Sequence, residues 1–211
     1  MPKIHSTAVI GENCIIGSDV EIGAHTIISE NVKIGNGTKI HPLVHISGNT
    51  DIGENNSIFQ FCSIGSPPQD LKFNGERNFL KIGDSNIFRE GCTVNPGTEG
   101  GGLITEIGNN CLFMTGAHIA HDCRVGDNVV FANQATLGGH VIVNNNAVLG
   151  GLCGIHQFCR IGELAMIGGL SAVHNDVIPY GLVTGNGAKL EGINLIGLKR
   201  AGYTGKNIKD F

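Results

Sequence analysis

The chain has 211 residues, of which 33 are glycine and none is tryptophan, and its formal net charge is −4. This length allows one or two domains, and because no run of 18 apolar residues is present we expect no membrane span. The first residues, MPKIHSTAVIG, lack the apolar core of a signal peptide, which predicts a cytoplasmic protein. We expect no nucleic-acid partner.

Large aliphatic residues recur every six positions from the start of the chain. Isoleucine fills eleven consecutive positions of this repeat, from Ile4 and Ile10 to Ile64. A period of six is neither the helical 3.6 nor the two-residue alternation of one long strand, so it predicts short strands separated by turns. Three hexapeptides make a triangular coil of 18 residues. The predicted fold class is therefore all-β, a parallel β-helix over residues 1–184.

Each hexapeptide also carries a small residue two positions before the large one, and a glycine often follows. Residues i and i−2 of a strand point to the same side, so both are predicted to face inward. All seven cysteines, from Cys14 to Cys159, lie in this small slot and none forms a CxxC pair. We therefore expect them to fill the core rather than to bind metal or form disulfides. The glycines that follow, such as Gly11, predict corners with a tight or left-handed backbone.

Two segments interrupt the repeat before it resumes over residues 107–173. Residues 66–81 contain Pro67, Pro68 and a charged run, and residues 95–106 are rich in glycine. Both are predicted to be loops that leave a rigid scaffold, which is a common place for function. Tolerated insertions without function would give the same pattern.

Five histidines accompany repeat positions 119, 137, 155 and 173, which are 18 residues apart. They are His118, His121, His140, His156 and His174. Stacking of the coils predicts that they share one edge of the prism over roughly 15 Å. Such a column can supply a general base, zinc ligands from His118, His121 and His140, or a solvated polar ladder. The adjacent Asp122 favours a base with a carboxylate partner.

Residues 185–211 lose the hexapeptide pattern and are predicted to be a short helical segment. The stretch INLIGLKRAG indicates one helix, and Thr204 is a candidate N-cap of a second. Five basic and two acidic residues give this segment +3, which leaves −7 for residues 1–184. A basic end on an acidic body favours an anionic partner or ligand.

Six segments together resemble one known family. They are QDLKFNGE (69–76), NPGTEGGG (95–102), AHIAHDCRVG (117–126), GGH (138–140), IHQFCRIG (155–162) and GLKRAG (197–202). In this order they are similar to the bacterial UDP-N-acetylglucosamine O-acyltransferases that begin lipid A biosynthesis. The resemblance implies a left-handed coil, a homotrimer with active sites between neighbouring prisms, and a carboxy-terminal segment truncated relative to the family. It also implies transfer of an (R)-3-hydroxyacyl chain from acyl carrier protein to the 3-hydroxyl of UDP-N-acetylglucosamine.

The resemblance further implies roles for individual residues. His121 would be the general base, Asp122 its orienting carboxylate, and the Gly139 N–H a donor to the thioester oxyanion. The residues implied in substrate binding are Gln69, Asp70, Lys72, His118, His140, His156, Gln157, Gly169, Asn194 and Arg200. Gly169 matches the position that limits the acyl groove, so we expect a long donor chain. No metal and no cofactor are implied, because the phosphopantetheine arm of acyl carrier protein carries the donor.

Three positions depart from the family pattern, and three other functions stay open. The departures are Asn95-Pro96, Ile196 and Ala201. A related hexapeptide acyltransferase would N-acylate an amino sugar nucleotide. A metal-dependent hydratase would use the histidine column, and a binding or scaffold trimer would use neither chemistry.

Overall fold

A computed structural model describes residues 1–205, and short strands wound into a triangular coil make up most of them. The predicted left-handed parallel β-helix is confirmed. Within residues 1–205 no helix is long and apolar enough to cross a membrane.

The strands are mostly two residues long. The first fourteen are β1 (Lys3–Ile4), β2 (Val9–Ile10), β3 (Ile15–Ile16), β4 (Glu21–Ile22), β5 (Ile27–Ile28), β6 (Lys33–Ile34), β7 (Lys39–Ile40), β8 (His45–Ile46), β9 (Asn49–Ile52), β10 (Ser57–Ile58), β11 (Ser63–Ile64), β12 (Phe79–Ile82), β13 (Ile87–Phe88) and β14 (Thr93–Val94). After a 3₁₀ turn (Glu99–Gly101) come β15 (Ile104–Ile107), β16 (Leu112–Phe113), β17 (His118–Ile119), β18 (Arg124–Val125), β19 (Val130–Phe131), β20 (Thr136–Leu137), β21 (Ile142–Val143), β22 (Val148–Leu149), β23 (Gly154–Ile155), β24 (Arg160–Ile161), β25 (Met166–Ile167), β26 (Ala172–Val173), β27 (Gly181–Thr184), β28 (Lys189–Ile193) and helix α1 (Leu195–Arg200).

Every third strand joins the same sheet, so the chain visits three faces in turn. Sheet 1 runs β1-β4-β7-β10-β13-β16-β19-β22-β25-β27-β28. Sheet 2 runs from β2 to β26 and sheet 3 from β3 to β24, each in steps of three strands. We name the corners by the sheets that they join, so that the 2–3 corner follows a strand of sheet 2.

The hexapeptide register aligns the large side chains in columns. Ile4 pairs with Ile22, and Ile22 with Ile40, in the parallel ladder of sheet 1. Further along the same column, the rings of Phe88 and Phe113 stack with centroids 4.6 Å apart. The column forms the core because each coil covers the one before it. Burying one such side chain contributes about 1.5–3 kcal/mol.

The cysteines lie where the small slot was predicted. All seven are free thiols, and six are buried, whereas Cys14 near the open end of the prism is partly buried. The core-filling interpretation is confirmed. Burial raises the pKa of the Cys111 thiol to about 11 and that of Cys123 to about 12, so these thiols stay protonated and unreactive at neutral pH.

The role predicted for the repeat glycines is wrong at most corners. The left-handed residue is the one two places after the glycine position, as at Asn13, where φ is 57°. Gly11 is required for another reason, because a Cβ there would lie 2.5 Å from the Glu30 backbone nitrogen of the next coil. Close stacking of coils, rather than a left-handed turn, selects glycine.

Both interruptions leave the prism at the 2–3 corner in successive coils. The first lies between Ile64 of sheet 2 and Ile82 of sheet 3, and the second between Val94 and Ile107. Each loop ends earlier than the predicted bounds of 66–81 and 95–106, because β12 begins at Phe79 and β15 at Ile104. The two loops therefore occupy the two 2–3 corners that come just before the corner carrying His121.

The carboxy-terminal segment is only partly helical, so the prediction for residues 185–211 needs correction. Strand β28 (Lys189–Ile193) turns back antiparallel to β27 and extends sheet 1. The helix predicted for INLIGLKRAG is present as α1, and Asn194 caps it by accepting a hydrogen bond from Gly197 N. A second helix starting near Thr204 would lie mostly outside the described residues.

Candidate active site

The 2–3 corner gathers most of the residues singled out in the sequence. His121 and Asp122 form the turn between β17 and β18, and Gly139 and His140 form the same turn one coil later. The corner after that carries His156 and Gln157, both of them exposed. The shared edge predicted for the histidines is thus present.

His121 and Asp122 form a close hydrogen-bonded pair. His121 Nδ1 lies 2.7 Å from Asp122 Oδ2, and the Asp122 side chain is fully buried while that of His121 is 13% exposed. An ionised carboxylate only accepts hydrogen bonds, so Nδ1 carries the proton. With the Nδ1 proton directed at Asp122, the ring presents the lone pair of Nε2 to an external proton.

Two further histidines surround the pair in neutral form. His140 meets the ring of His121 edge-on, with centroids 5.1 Å apart, and stacks on Phe158 at 4.4 Å. Burial lowers the pKa of His140. Burial, and secondarily the charge of His121, lowers the pKa of His118, whose Nδ1 lies 2.7 Å from Thr93 Oγ1. Both rings stay uncharged at neutral pH and do not compete with His121 for a proton.

Gly139 lies directly against the base. A Cβ on Gly139 would lie 2.5 Å from His121 Cε1 and 2.6 Å from His121 Nε2, so a side chain there would collide with the ring. Within residues 1–205 the Gly139 N–H donates no hydrogen bond to the protein. Within residues 1–205 the site therefore combines a ring nitrogen that has no hydrogen-bond partner with a free backbone donor beside it.

The first loop brings charged groups to the same corner. Asp70 Oδ1 accepts a hydrogen bond from Lys72 N at 3.0 Å, and both charges act on the pKa of His140. Asn95 fixes the start of this loop by donating to the carbonyls of Ser66 and Pro67, at 3.0 and 3.2 Å. Gln69 is exposed on the loop.

Three of the predicted substrate residues lie elsewhere on the chain. Gly169 is exposed on the 1–2 corner, where a Cβ would meet only Gly151, at 3.3 Å from its carbonyl oxygen. Asn194 caps α1, Arg200 is the last residue of that helix, and both line a cavity of about 520 Å³ on the outer face of sheet 1. Sheet 1 is the side of the triangle opposite the 2–3 corner. One chain alone does not bring these residues to His121.

Sequence reasoning missed two threonines that hold Asp122. Thr98 in the second loop donates to both carboxylate oxygens, and Thr105 Oγ1 accepts from Asp122 N at 2.8 Å. Thr98 lies within the NPGTEGGG segment used for the resemblance, but only the loop geometry gives it a role.

The predicted zinc set is not the set that the fold assembles. Within residues 1–205 the group close enough to share an ion is His121, Asp122 and His140, and His118 is not part of it. Both oxygens of Asp122 already accept hydrogen bonds, from Thr98 and His121. A cation at Asp122 Oδ2 would displace these donors. The arrangement fits a base with its carboxylate better than a metal site.

Two family models match parts of the chain. The model described as bacterial transferase hexapeptide (six repeats) matches residues 1–36 and 104–139. The model described as UDP N-acetylglucosamine O-acyltransferase, domain 2, matches residues 176–211.

Curated relatives and solved structures are similar over most of the chain. The acyl-[acyl-carrier-protein]–UDP-N-acetylglucosamine O-acyltransferase of Aliarcobacter butzleri is 56% identical over 200 residues, which are 95% of this chain and 77% of the relative. The enzyme of the same name from Paracidovorax citrulli is 58% identical over 204 residues, 97% of this chain and 78% of the relative. The crystal structure of UDP-N-acetylglucosamine O-acyltransferase from Moraxella catarrhalis superposes with a TM-score of 0.95 at 45% identity, covering 98% of this chain and 80% of that one.

Proposed function

The chain belongs to the UDP-N-acetylglucosamine O-acyltransferase family, and from that premise we propose that it transfers a 3-hydroxyacyl chain from acyl carrier protein to the 3-hydroxyl of UDP-N-acetylglucosamine, the first step of lipid A biosynthesis. The observation that carries the proposal is the His121–Asp122 pair, whose Nε2 stays free beside the Gly139 N–H.

His121 acts as the general base in a direct transfer. Nε2 takes the proton of the sugar hydroxyl while the hydroxyl oxygen attacks the thioester carbon. The C–S bond then breaks, and protonated His121 returns the proton to the departing phosphopantetheine thiolate. A positioned base of this kind contributes roughly 10²- to 10⁴-fold in rate. No acyl-enzyme intermediate is required.

Asp122 and Gly139 stabilise the charges that develop during transfer. Asp122 faces the Nδ1 side of the ring at 2.7 Å, where it stabilises the imidazolium and fixes the tautomer. The Gly139 N–H donates to the oxyanion of the tetrahedral intermediate, and no side chain blocks its approach.

Polar residues around the corner bind the sugar. Asp70, Lys72 and Gln69 approach from the first loop, and His118 and His140 offer neutral rings that hydrogen-bond hydroxyl groups without introducing charge. His156 and Gln157 continue the same edge one coil further along.

The outer face of sheet 1 suits the acyl chain. Its outward column is apolar from the fifth strand onward: Ile87, Leu112, Val130, Val148, Met166 and Leu182. Gly169 lies on the adjoining 1–2 corner, where a small residue leaves room for a long donor. Asn194 and Arg200, at the end of the same face, contact the nucleotide, and Arg200 pairs with phosphate.

This division of the site supports an assembly of several copies. The base lies on the 2–3 corner, and the acyl and nucleotide residues lie on the opposite side of the same prism. A complete site therefore needs the corner of one copy beside sheet 1 of another, and a ring of three copies closes this contact. The outward column of sheet 3 is mostly charged, for example at Lys33, Asp51 and Arg124, and is the face expected to meet water.

Acyl carrier protein is the partner of this reaction and supplies the donor on its own arm, so the enzyme needs no cofactor of its own. Lys189, Lys199 and Arg200 are exposed near the carboxy-terminal end of the prism. This basic surface attracts an acidic carrier.

Product identification tests the proposal. The protein is incubated with UDP-N-acetylglucosamine, its 3-amino analogue and carrier proteins loaded with 3-hydroxyacyl chains of increasing length, and the products are identified by mass. We expect the O-acylated nucleotide with a long chain. Acylation of the amino analogue alone would instead favour the N-acyltransferase, and no acyl transfer to either acceptor would refute the proposal.

A further inference from the structure

The second loop encloses the carboxylate beside the base. Thr98 N donates to Asp122 Oδ1 at 2.8 Å, and Thr98 Oγ1 donates to Asp122 Oδ2 at 2.6 Å. Thr98 is 4% exposed and Asp122 is 6% exposed, so water does not replace these bonds. With His121 Nδ1 at 2.7 Å, Oδ2 accepts two donors at once.

We propose that Thr98 is a positioning residue that sets both the orientation and the basicity of the His121–Asp122 pair. This inference rests on the proposed function, because it concerns the base of that reaction. Thr98 itself contacts Asp122 rather than the open ring nitrogen of His121, so it acts through the carboxylate.

The loop holds Thr98 firmly enough for this role. The Thr98 carbonyl accepts from Gly101 N at 3.0 Å and from Leu103 N at 2.8 Å. Asn78 Nδ2 donates to the Gly97 carbonyl at 2.7 Å, which joins the first loop to the second. A Cβ on Gly101 would overlap the Asp122 carboxylate, so the glycine allows the loop to close directly over Asp122.

Sharing of Oδ2 gives the proposal a specific kinetic signature. The Thr98 hydroxyl draws electron density from the oxygen that also accepts from His121. Without that hydroxyl the carboxylate would hold the protonated ring more strongly, and the base would be lost at higher pH. The carboxylate would also be less firmly oriented, because only the backbone N–H of residue 98 and His121 Nδ1 would still bond its oxygens.

The experiment compares Thr98→Val, Thr98→Ser and wild type across pH. For Thr98→Val we expect kcat/KM to fall about 10- to 100-fold, the effect of losing one hydrogen bond to a charged group. The loss should appear in kcat, with KM for the nucleotide sugar within about twofold, and the acid limb of the profile should move to higher pH. Thr98→Ser keeps the donor and should restore both features.

Thr38→Val is the matched control. Thr38 is also fully buried, and its hydroxyl donates to the Gly53 carbonyl at 3.0 Å, far from the site. It should lower the melting temperature without moving the acid limb. A Thr98→Val enzyme whose kcat and acid limb match those of Thr38→Val would overturn the proposal.

If the Thr98→Val variant does not fold, a second measurement on the wild-type protein still tests the proposal. The nitrogen chemical shifts of the His121 ring in the wild-type protein report whether Nδ1 carries the proton, as the proposal requires. An Nε2-protonated ring, or a folded Thr98→Ser enzyme that loses 100-fold in kcat, would contradict the positioning role. Absence of transfer by the wild type would instead count against the proposed function.

Discussion

The same corner of the prism carries different chemistry at its two ends. In the first coil the 2–3 corner is formed by Glu12 and Asn13, and both side chains are exposed. Several coils later it reads His121–Asp122, where the carboxylate is fully buried. The second residue of the corner is left-handed at both levels, because φ is 57° at Asn13 and 60° at Asp122.

The difference comes from what covers the corner. The first coils have nothing beyond the turn, so a polar pair there is solvated. The two loops leave the prism immediately below His121, and the second places Thr98 over Asp122. A regular scaffold thus repeats one geometry at every level, and an insertion at one level converts an ordinary corner into a desolvated site, where electrostatic interactions are stronger.

Removing the base should have the largest effect. His121→Ala is expected to lower kcat by about 10²- to 10⁴-fold, because His140 Nε2, 3.9 Å from Asp122 Oδ2, is too far from the carboxylate to replace the His121 hydrogen bond. Steady-state transfer to UDP-N-acetylglucosamine measures this. Glu30→Ala, at the equivalent position of an early coil, should leave kcat unchanged. Full activity of His121→Ala would refute the assigned base.

Adding one methyl group tests how closely the corner is packed at the active level. Gly139→Ala should lower kcat by roughly 10- to 100-fold, because the new Cβ displaces the His121 ring and crowds the free N–H. Gly100→Ala in the second loop is the control, since a Cβ there meets nothing within 4 Å. Equal kcat values for the two variants would show that displacing the His121 ring does not affect catalysis.

The preference for acyl chains of different length tests whether the 1–2 corner has a role in the late coils that it lacks in the early ones. Gly169→Met should shift the kcat/KM ratio towards shorter 3-hydroxyacyl carriers by about tenfold or more, given about 0.8 kcal/mol for each methylene group that loses its place. Gln60→Met places the same methionine at the equivalent position of an early coil and should change nothing. An unaltered preference in Gly169→Met would rule out a role in the groove.

The smallest expected effect concerns pH and stability. The pKa of His118 is lowered by burial, so below about pH 6.5 the unfolded chain takes up a proton that the folded chain resists. Stability is full above that pH, falls as the pH decreases, and stops falling below the folded-state pKa. His118→Asn should reduce the acid-induced loss in melting temperature by roughly one to three degrees. His25→Asn, at an exposed position, should not; equal curves for both variants would argue against the effect of burial.

The repeat was enough to predict the scaffold, but not the conformation of its corners. Ile4 to Ile64 predicted the coil and the core, and the 18-residue column brought His118, His121 and His140 to one edge. The left-handed turn predicted at the glycine after each large residue is wrong at most corners, because contact between coils selects that glycine and has no local sequence signal.

The sequence by itself determined the period, the inward slots and the segments that resemble one enzyme family, because these depend on side-chain identity at fixed spacing. Only the tertiary structure decided that both loops leave at the corner of His121 and that Thr98 covers Asp122. It also decided that Gly169, Asn194 and Arg200 lie away from that corner. Those relations join residues through the stacking of successive coils, which the order of residues within one repeat does not contain.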